Sequence, residues 1–567
     1  MAKHSLYGGR SAVIASQPRC RSFGKNRIIA ALMLCTSLGS LTACSSTEEP
    51  DSAQSAMGRK SKLPPGKSID TSGSGTTTPT PLPASSGPVV YDASVGAGVD
   101  GDGFALLPLR SGAHRFFVNS SAGSDGNGCS GGQSAATPLK SIAAAVGCVT
   151  DGAGDQVLLA EGMRYAEALP WVAFKGGFSA QYPTVIQSYD PADPANEAKY
   201  GRGDQRGARP VLTAPQQQVS NGTYQFIAIR GLDFNPGNVP NVNLMFVGNG
   251  SYVLIENNLF QYTGLSWDNY IAKGQHLVVR GNAFHGMWNS VNGRAGGVYA
   301  ANIDGVTLED NVFWHNGWKE GASRDDDFSV GGATVFSHSF YLQTNTWNGI
   351  VRRNLSVDGA GDGGIARGDI LATENVSIDN PACLGLGGGP TYSTDRPAGI
   401  KIEASYNACF GDADVTSSHP LGWGISTIGG IAGSSVHHNL LARTRDPNGP
   451  SVQALANVAP QNVPSYMTFD SNRLYRWAAS GHSYQHCCFG YDAQALTTFT
   501  NNIWDDPTDG TNLNNAGIAF PNPYTAAQLY AALGCTDKAT CLARAIQTPE
   551  LKWATKARLL LFAGYGM

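Results

Sequence analysis

Charge is scarce in this chain. Only 14% of its 567 residues are Asp, Glu, Lys or Arg, too few for a charge-driven disordered chain. Past residue 43 there is no basic arm either. From Cys44 onward, 33 Lys/Arg face 43 Asp/Glu, a net charge of −10, so no nucleic-acid partner is expected. No two cysteines stand in a Cys-x-x-Cys spacing, which argues against a zinc cluster. The apolar run at 28–38 is too short to span a bilayer. What the chain has in quantity is Gly, 70 residues, and Asn at regular places, a load that favours turns over helices.

The Asn residues carry the main signal. Between 252 and 378 one phrase recurs: apolar, any, apolar, two polar residues, Asn, apolar. Its Asn falls at Asn258, Asn282, Asn311, Asn354 and Asn375, and returns at Asn439, Asn472 and Asn502, with a degenerate copy near Asn407. The spacings are 24, 29, 43, 21, 32, 32, 33 and 30. A period of twenty-odd residues stretched by insertions marks a solenoid, and alternation within each copy makes it a β-solenoid. Each Asn is expected at a turn, stacked on its counterpart one coil away. It is read as structural.

The N-terminus reads as an address. Six Lys/Arg and no acid fill residues 1–43, and the basic stretch precedes the apolar run and then Leu41-Thr42-Ala43-Cys44, the order of a secretory signal. Leu-Thr-Ala-Cys resembles the bacterial lipoprotein box, which implies a signal peptide at 1–43, lipidation of Cys44 and anchoring without a transmembrane helix. Ser45-Ser46 after it resembles sorting to the outer membrane. Ser, Thr, Pro and Gly dominate 44–112, expected to be a disordered linker. Eight cysteines remain after Cys20, Cys35 and Cys44, an even number suited to an oxidising compartment. Cys129 with Cys148, Cys383 with Cys409 and Cys535 with Cys541 are local candidate pairs; Cys487-Cys488 is either vicinal or paired elsewhere.

The folded part opens with Arg115-Phe-Phe-Val, a Ser141-Ile-Ala-Ala-Ala helix and Gly154-Asp-Gln-Val-Leu-Leu. This order resembles the N-terminal cap of the pectate-lyase-like right-handed parallel β-helix superfamily. The expected architecture is therefore all-β: a single-stranded parallel β-helix over 113–505 with an N-terminal helical cap. A C-terminal helical segment at 506–567 is expected to close the last coil. The superfamily holds lyases, hydrolases, epimerases and adhesins, so the fold leaves activity open.

Candidate chemistry gathers where the repeat is broken. Tyr341, Gln343 and, 24 residues after Gln343, Arg367 fall on neighbouring coils, with His338 beside them; alternation sends Phe340 and Leu342 inward and Tyr341 and Gln343 outward. The phrase His338-x-x-Tyr341-x-Gln343 followed by Arg367 resembles an arrangement in bacterial β-helix proteins of the polysaccharide-lyase type. His315 joins the catalytic candidates, and Trp314, Trp318 and Lys319 join Gln343, Tyr270 and Tyr299 as substrate-binding ones. Arg can neutralise a uronate carboxylate while His or Tyr removes the neighbouring proton and protonates the leaving oxygen. No cofactor is required. Phe246, Tyr270, Tyr299 and Tyr341 are expected to form an aromatic ladder, and Trp288, Trp314, Trp318 and Trp347 to rim a groove. Asp325, Asp326 and Asp327 are the candidate metal ligands, with Ca2+ as the ion.

Three functions compete. A uronate-cleaving polysaccharide lyase leads. A glycoside hydrolase could draw its two acids from Asp325 to Asp327, Asp362, Asp369 or Glu374. A non-catalytic glycan-binding or adhesin lipoprotein would share the fold; trimming or epimerising the cell's own exopolysaccharide is a further variant. The lyases of this fold often use Lys or Arg as base, and no such motif surrounds Lys273, Lys319 or Arg294. A monomer, lipid-anchored to the bacterial envelope, most consistent with the outer membrane, is expected. Replacing Cys44 by Ser should move the expressed protein from the detergent phase to the aqueous phase on phase partitioning; retention in detergent would remove the lipid anchor.

Overall fold

A computed structural model describes residues 95–170, 175–203, 209–216, 218–269, 272–388, 400–411, 423–442, 454–458, 465–475, 489–491, 495–505, 524–548 and 552–567. The described chain winds into a right-handed parallel β-helix. Each coil has three strands: one ending just before the repeated Asn, one just after it, and a third beyond the next turn. In one coil these are His338–Leu342, Gly349–Arg352 and Leu355–Val357. Every paired strand is parallel to its neighbours on adjacent coils, and the registers lock the repeat: Leu277 faces Val253 on one side and Val306 on the other. The match is one residue off at Ile350, which pairs with Thr307. Two of the strand ladders merge into one sheet because Gln218–Arg230 and Asn243–Glu256 run through both.

The Asn residues form one continuous ladder inside the turn. From Asn258 through Asn282, Asn311, Asn354, Asn375, Asn407, Asn439 and Asn472 to Asn502, each donates its backbone N–H and its side-chain amide to the next Asn Oδ1, at 2.8–3.1 Å. Asn407, degenerate in sequence, is a full member. The left-handed backbone belongs to the residue before the Asn rather than to the Asn. Asn257, Asp310, Arg353, Glu374, Tyr406, His438, Ser471 and Asn501 all have φ between 52° and 59°. Each such residue other than Gly costs roughly 1–2 kcal/mol, offset by the buried amide bonds it sets up.

Inside the coil, the residue two after the Asn points to the core. Phe234, Phe260, Phe284 and Phe313 stack there with centroids 4.9, 4.6 and 5.1 Å apart. Further on the same position holds Cys409, disulfide-bonded to Cys383 across the interior. Cys129–Cys148 ties the N-terminal cap and Cys535–Cys541 the C-terminal helices; Cys487 and Cys488 lie outside the described residues, as do residues 1–94 with Cys44. The cap strand Arg115–Val118 pairs with Gln156–Ala160, which pairs with Thr184–Tyr189. The helix Ile142–Cys148, capped by Ser141, covers this end. The solenoid therefore starts within the cap.

Two boundaries differ from composition. Residues 95–107, assigned above to the linker, pack on the solenoid. Ala105 donates to the Glu256 carboxylate at 3.2 Å and accepts from Arg230 at 2.8 Å, and Gln156 donates to the Leu107 carbonyl. They shield a row of alternating charges, Arg230, Glu256, Arg280 and Glu309, standing side by side on successive coils. The C-terminal helices Ala526–Ala532, Lys538–Gln547 and Trp553–Gly564 do not close the last coil. They lie along the side of the solenoid, against Leu259, Ala283, Val312, Leu355, Val376, Ala408 and Leu440. Each of these follows a ladder Asn directly and points outward, so the apolar residue closing the repeated phrase makes a stripe that must be covered. Replacing Asn354 by Ala strands the amide and backbone donors of Asn311; stability should fall by roughly 2–4 kcal/mol, read as a lower urea midpoint, and an unchanged midpoint would show the ladder to be dispensable.

Candidate active site

Tyr341 is the centre of a cluster of side chains that the repeat does not itself require. It sits on the outer side of His338–Leu342, between buried Phe340 and Leu342, as alternation requires. Tyr299 stands in register with it one coil earlier, the two rings stacked 5.8 Å apart. Arg367 follows one coil later, its backbone N–H on the Leu342 carbonyl and its guanidinium over the Tyr341 ring at 5.2 Å.

His338 joins this face because alternation fails at one point. It stands three positions before Tyr341, which would put the two on opposite sides of a regular strand. Ser339 and Phe340, however, both turn inward, Ser339 bonding Ser356 Oγ and Phe340 packing in the core. The imidazole then stacks on the Tyr341 ring, centroids 5.5 Å apart. Its Nδ1 lies 3.0 Å from Asp362 Oδ2, off the line of a good hydrogen bond, with both side chains about 95% buried. Tyr299, His338, Tyr341 and Arg367 thus meet, with Gln343 just past the end of the strand His338–Leu342, where its side-chain carbonyl accepts from the Thr344 N–H.

The other residues singled out in sequence go elsewhere. His315 belongs to a second cluster. Its Nδ1 is 3.2 Å from Asp358 Oδ2, and the carboxylate also receives Arg324 at 2.8 Å and Lys538, from the C-terminal helix, at 3.3 Å. Trp318 packs against His315 with its ring tilted, centroids 4.2 Å apart, and donates to the Asp358 carbonyl. Trp314 stacks on His285, whose burial pushes its imidazole down to about 4 and keeps it neutral. Lys319 lies over the ring of Trp288, which is itself buried. Trp347 sits at a different turn, under Lys273 at 3.2 Å. The four Trp residues do not rim one groove.

The aromatic ladder is likewise shorter than the repeat suggested. Phe246 is an interior residue stacked on Trp267, in the column that continues through Ala300 and Leu342. Tyr270 lies outside the described residues. Only Tyr299 and Tyr341 stack as expected, because the register between coils follows strand pairing, and insertions in the turns shift a simple count back from the Asn. Asp325, Asp326 and Asp327 do not converge either. Asp326 accepts from the Ser323 N–H, and Asp327 caps a short helical turn through Ser329. Among the described residues no three His, Cys, Asp or Glu side chains group to hold a metal ion. These three carboxylates do not fit a Ca2+ site.

Asp358 escaped the sequence reading, although its position carries a signal. Tyr262, His315, Asp358 and Asp379 each stand four residues after a ladder Asn, and all are left-handed, with φ of 51–58°. That common offset stacks His315, Asp358 and Asp379 on consecutive coils under the C-terminal helix. Burial acts to raise the Asp358 carboxyl, but the His315 hydrogen bond and the Lys538 and Arg324 charges hold it down at about 2. Its folded value is below the ordinary 3.8, so its contribution is fully present above that value and is lost as pH falls through about 2. An acid titration should therefore release the C-terminal helices within that window, seen as a change in tryptophan emission. Asp358→Asn should lower the thermal midpoint at neutral pH and flatten the pH dependence there; an unchanged midpoint would mean the helices are held by their apolar contacts alone.

No protein-family model matches the chain, and no curated protein matches it. Solved structures give the following likenesses. An alginate lyase from Paenibacillus sp. str. FPU-7 is 14% identical, covering 63% of this chain and 89% of its own, with a TM-score of 0.29. The GH136 lacto-N-biosidase from Eubacterium ramulus is 14% identical over 63% of this chain and 67% of its own, with a TM-score of 0.33. A rhamnogalacturonan lyase is 12% identical over 76% and 94%, with a TM-score of 0.33. The chain is similar to these proteins at a level that assigns neither a family nor an activity.

Proposed function

We propose that this chain is a polysaccharide-degrading enzyme, a lyase that cleaves a uronate-containing glycan by β-elimination on the outer face around Tyr341. The observation that carries the reading is the meeting of His338, Tyr341 and Arg367 on one surface. Arg367 would pair with the uronate carboxylate and so acidify the C5 proton. His338 would take that proton through Nε2, the electron pair forming the C4=C5 bond. The C4–O bond then breaks, and the Tyr341 hydroxyl protonates the departing oxygen. Tyr299, stacked beside Tyr341, offers an apolar ring for a neighbouring sugar. Lipidation at Cys44 would hold the enzyme at the bacterial outer membrane as a monomer, and the reaction draws on no cofactor.

The acids that a hydrolase would draw on have partners of their own. Glu374 pairs with Arg558 of the C-terminal helix at 2.8 Å, and Asp369 accepts the Lys401 N–H at 2.8 Å. Asp362 is engaged with His338, and Asp325 to Asp327 sit on an exposed loop.

On a panel of acidic polysaccharides the protein should release products with the ultraviolet absorbance of an unsaturated uronate. His338→Ala and Arg367→Ala should each lower that rate by about 10²–10⁴-fold with the fold retained. New reducing ends without the absorbance would sink the lyase and select the hydrolase. Retardation of a glycan whose size does not change would select the binding protein.

A further inference from the structure

We infer that Asp362 is the positioning residue of this site: its carboxylate fixes the His338 ring so that Nδ1 carries the proton and Nε2 stays basic toward the substrate. The inference deepens the lyase reading and rests on it for the reaction, though not for the geometry.

Three observations carry it. The first is the pair itself. His338 Nδ1 and Asp362 Oδ2 are 3.0 Å apart, and the two side chains are 6% and 5% exposed. A carboxylate buried to that degree is costly unless it is matched by a donor or a positive charge. The imidazole Nδ1 is 3.0 Å from it, though off the hydrogen-bond line; at that distance the carboxylate favours a proton on Nδ1 and leaves the other ring nitrogen as the acceptor.

The second is that the chain is built locally to bring them together. Ser339 donates its backbone N–H to the Asp362 carbonyl at 3.2 Å, which sets Asp362 one coil above His338. Asp362 stands in the run Gly359-Ala-Gly-Asp-Gly-Gly364, and this turn leaves no room for side chains. A Cβ on Gly361 would run into the Ser337 carbonyl and reach within 3.4 Å of His338 Nδ1. A Cβ on Gly363 would meet the Cys383 carbonyl at 2.7 Å, and one on Gly364 would enter the Phe340 ring. The glycines are thus what permits a close approach of carboxylate, imidazole and Phe340.

The third is the setting of the ring. The imidazole is held against Tyr341 on one side, and the groups facing it are Asp362, Tyr341 and, over Tyr341, Arg367. Stacking holds the ring plane but leaves the ring free to flip end for end; the carboxylate removes that freedom and chooses the tautomer. A neutral His in the other tautomer would present an N–H to the C5 proton and could not accept it. Asp362 itself moves no proton and touches no substrate atom.

The test uses the full folded chain and two readouts. In the long-range proton–nitrogen correlation spectrum of histidine-labelled protein, with His338→Gln identifying the resonance, His338 should be the Nδ1–H tautomer in the wild type. Asp362→Asn should convert it at least in part to the Nε2–H form, since the amide can donate to Nδ1. On a cleaved glycan, Asp362→Asn should lower kcat by about 10²-fold or more and leave KM within about threefold of the wild type, because Arg367 still holds the carboxylate. Asp362→Glu should recover part of kcat. Gly361→Ala, which crowds the pair without changing its chemistry, should also lower kcat. If the tautomer is unchanged in Asp362→Asn, the positioning role is overturned, whatever the activity. If the tautomer shifts and no glycan is ever cleaved, the positioning stands and the lyase reading fails. Equal losses in kcat and 1/KM in a well-folded Asp362→Asn would show binding rather than ring orientation to be what Asp362 serves.

Discussion

The hydrogen bond from one Asn amide to the next is the interaction on which the molecule depends. A parallel solenoid turns sharply between strands, and each sharp turn needs a backbone residue in the left-handed region. Here eight of those residues, directly before the Asn, are not Gly, so the conformation is held against its own preference. What holds it is the buried amide ladder, in which each side chain also donates to a strand carbonyl, as Asn311 does to Val279 and Asn375 to Val351. The ladder is cooperative in the sense that each amide orients the next. It also settles register: once the Asn residues align, every strand that follows must pair with its neighbour at a fixed offset.

That alignment explains the placing of the C-terminal helices. Because the Asn points in, the next residue points out, and on every described coil from Asn258 to Asn439 it is Leu, Ala or Val. The face cannot be left to water, and three helices cover it. Their attachment is partly ionic. Lys538 reaches both Asp358 and Asp379, and Arg558 reaches Glu374. The same carboxylate, Asp358, also receives Arg324 from the long insertion. Insertion, solenoid turn and C-terminal helix are joined through one partly buried side chain, which lies four residues from Asp362. The cluster around Tyr341 is therefore backed by a turn whose other end is fixed to two further elements.

The candidate site draws its side chains from departures from the repeat. Regular alternation would give His338 to the interior and Tyr341 to the surface. The local break at Ser339 and Phe340 places both on one face. A Gly-rich turn replaces the usual side chains and lets Asp362 approach. Scaffold and site are thus separable in kind: repeated residues make the scaffold, and unrepeated ones stand where it bends.

The Asn spacing and the alternation within each phrase were enough, in sequence, to define a β-solenoid and to bring Tyr341 and Arg367 together on neighbouring coils, because both are consequences of local chain geometry with a fixed period; that the strands run parallel came from the resemblance of the N-terminal cap. The three disulfide pairs seen here were also legible, being short in sequence separation. Phe246 was misassigned and Trp347 put with the wrong neighbours, since turn insertions of different length shift any count made from the Asn, and only strand pairing restores the register. His315 was given to the site when it belongs to the helix contact, because nothing local shows that three helices fold back along the side of the coil. Asp362 was visible only as one acid among several. Its partner is 24 residues away in the chain, and the approach of the two depends on glycines that yield to neighbouring backbone and to the Phe340 ring, which is a property of packed coils and of no single stretch of sequence.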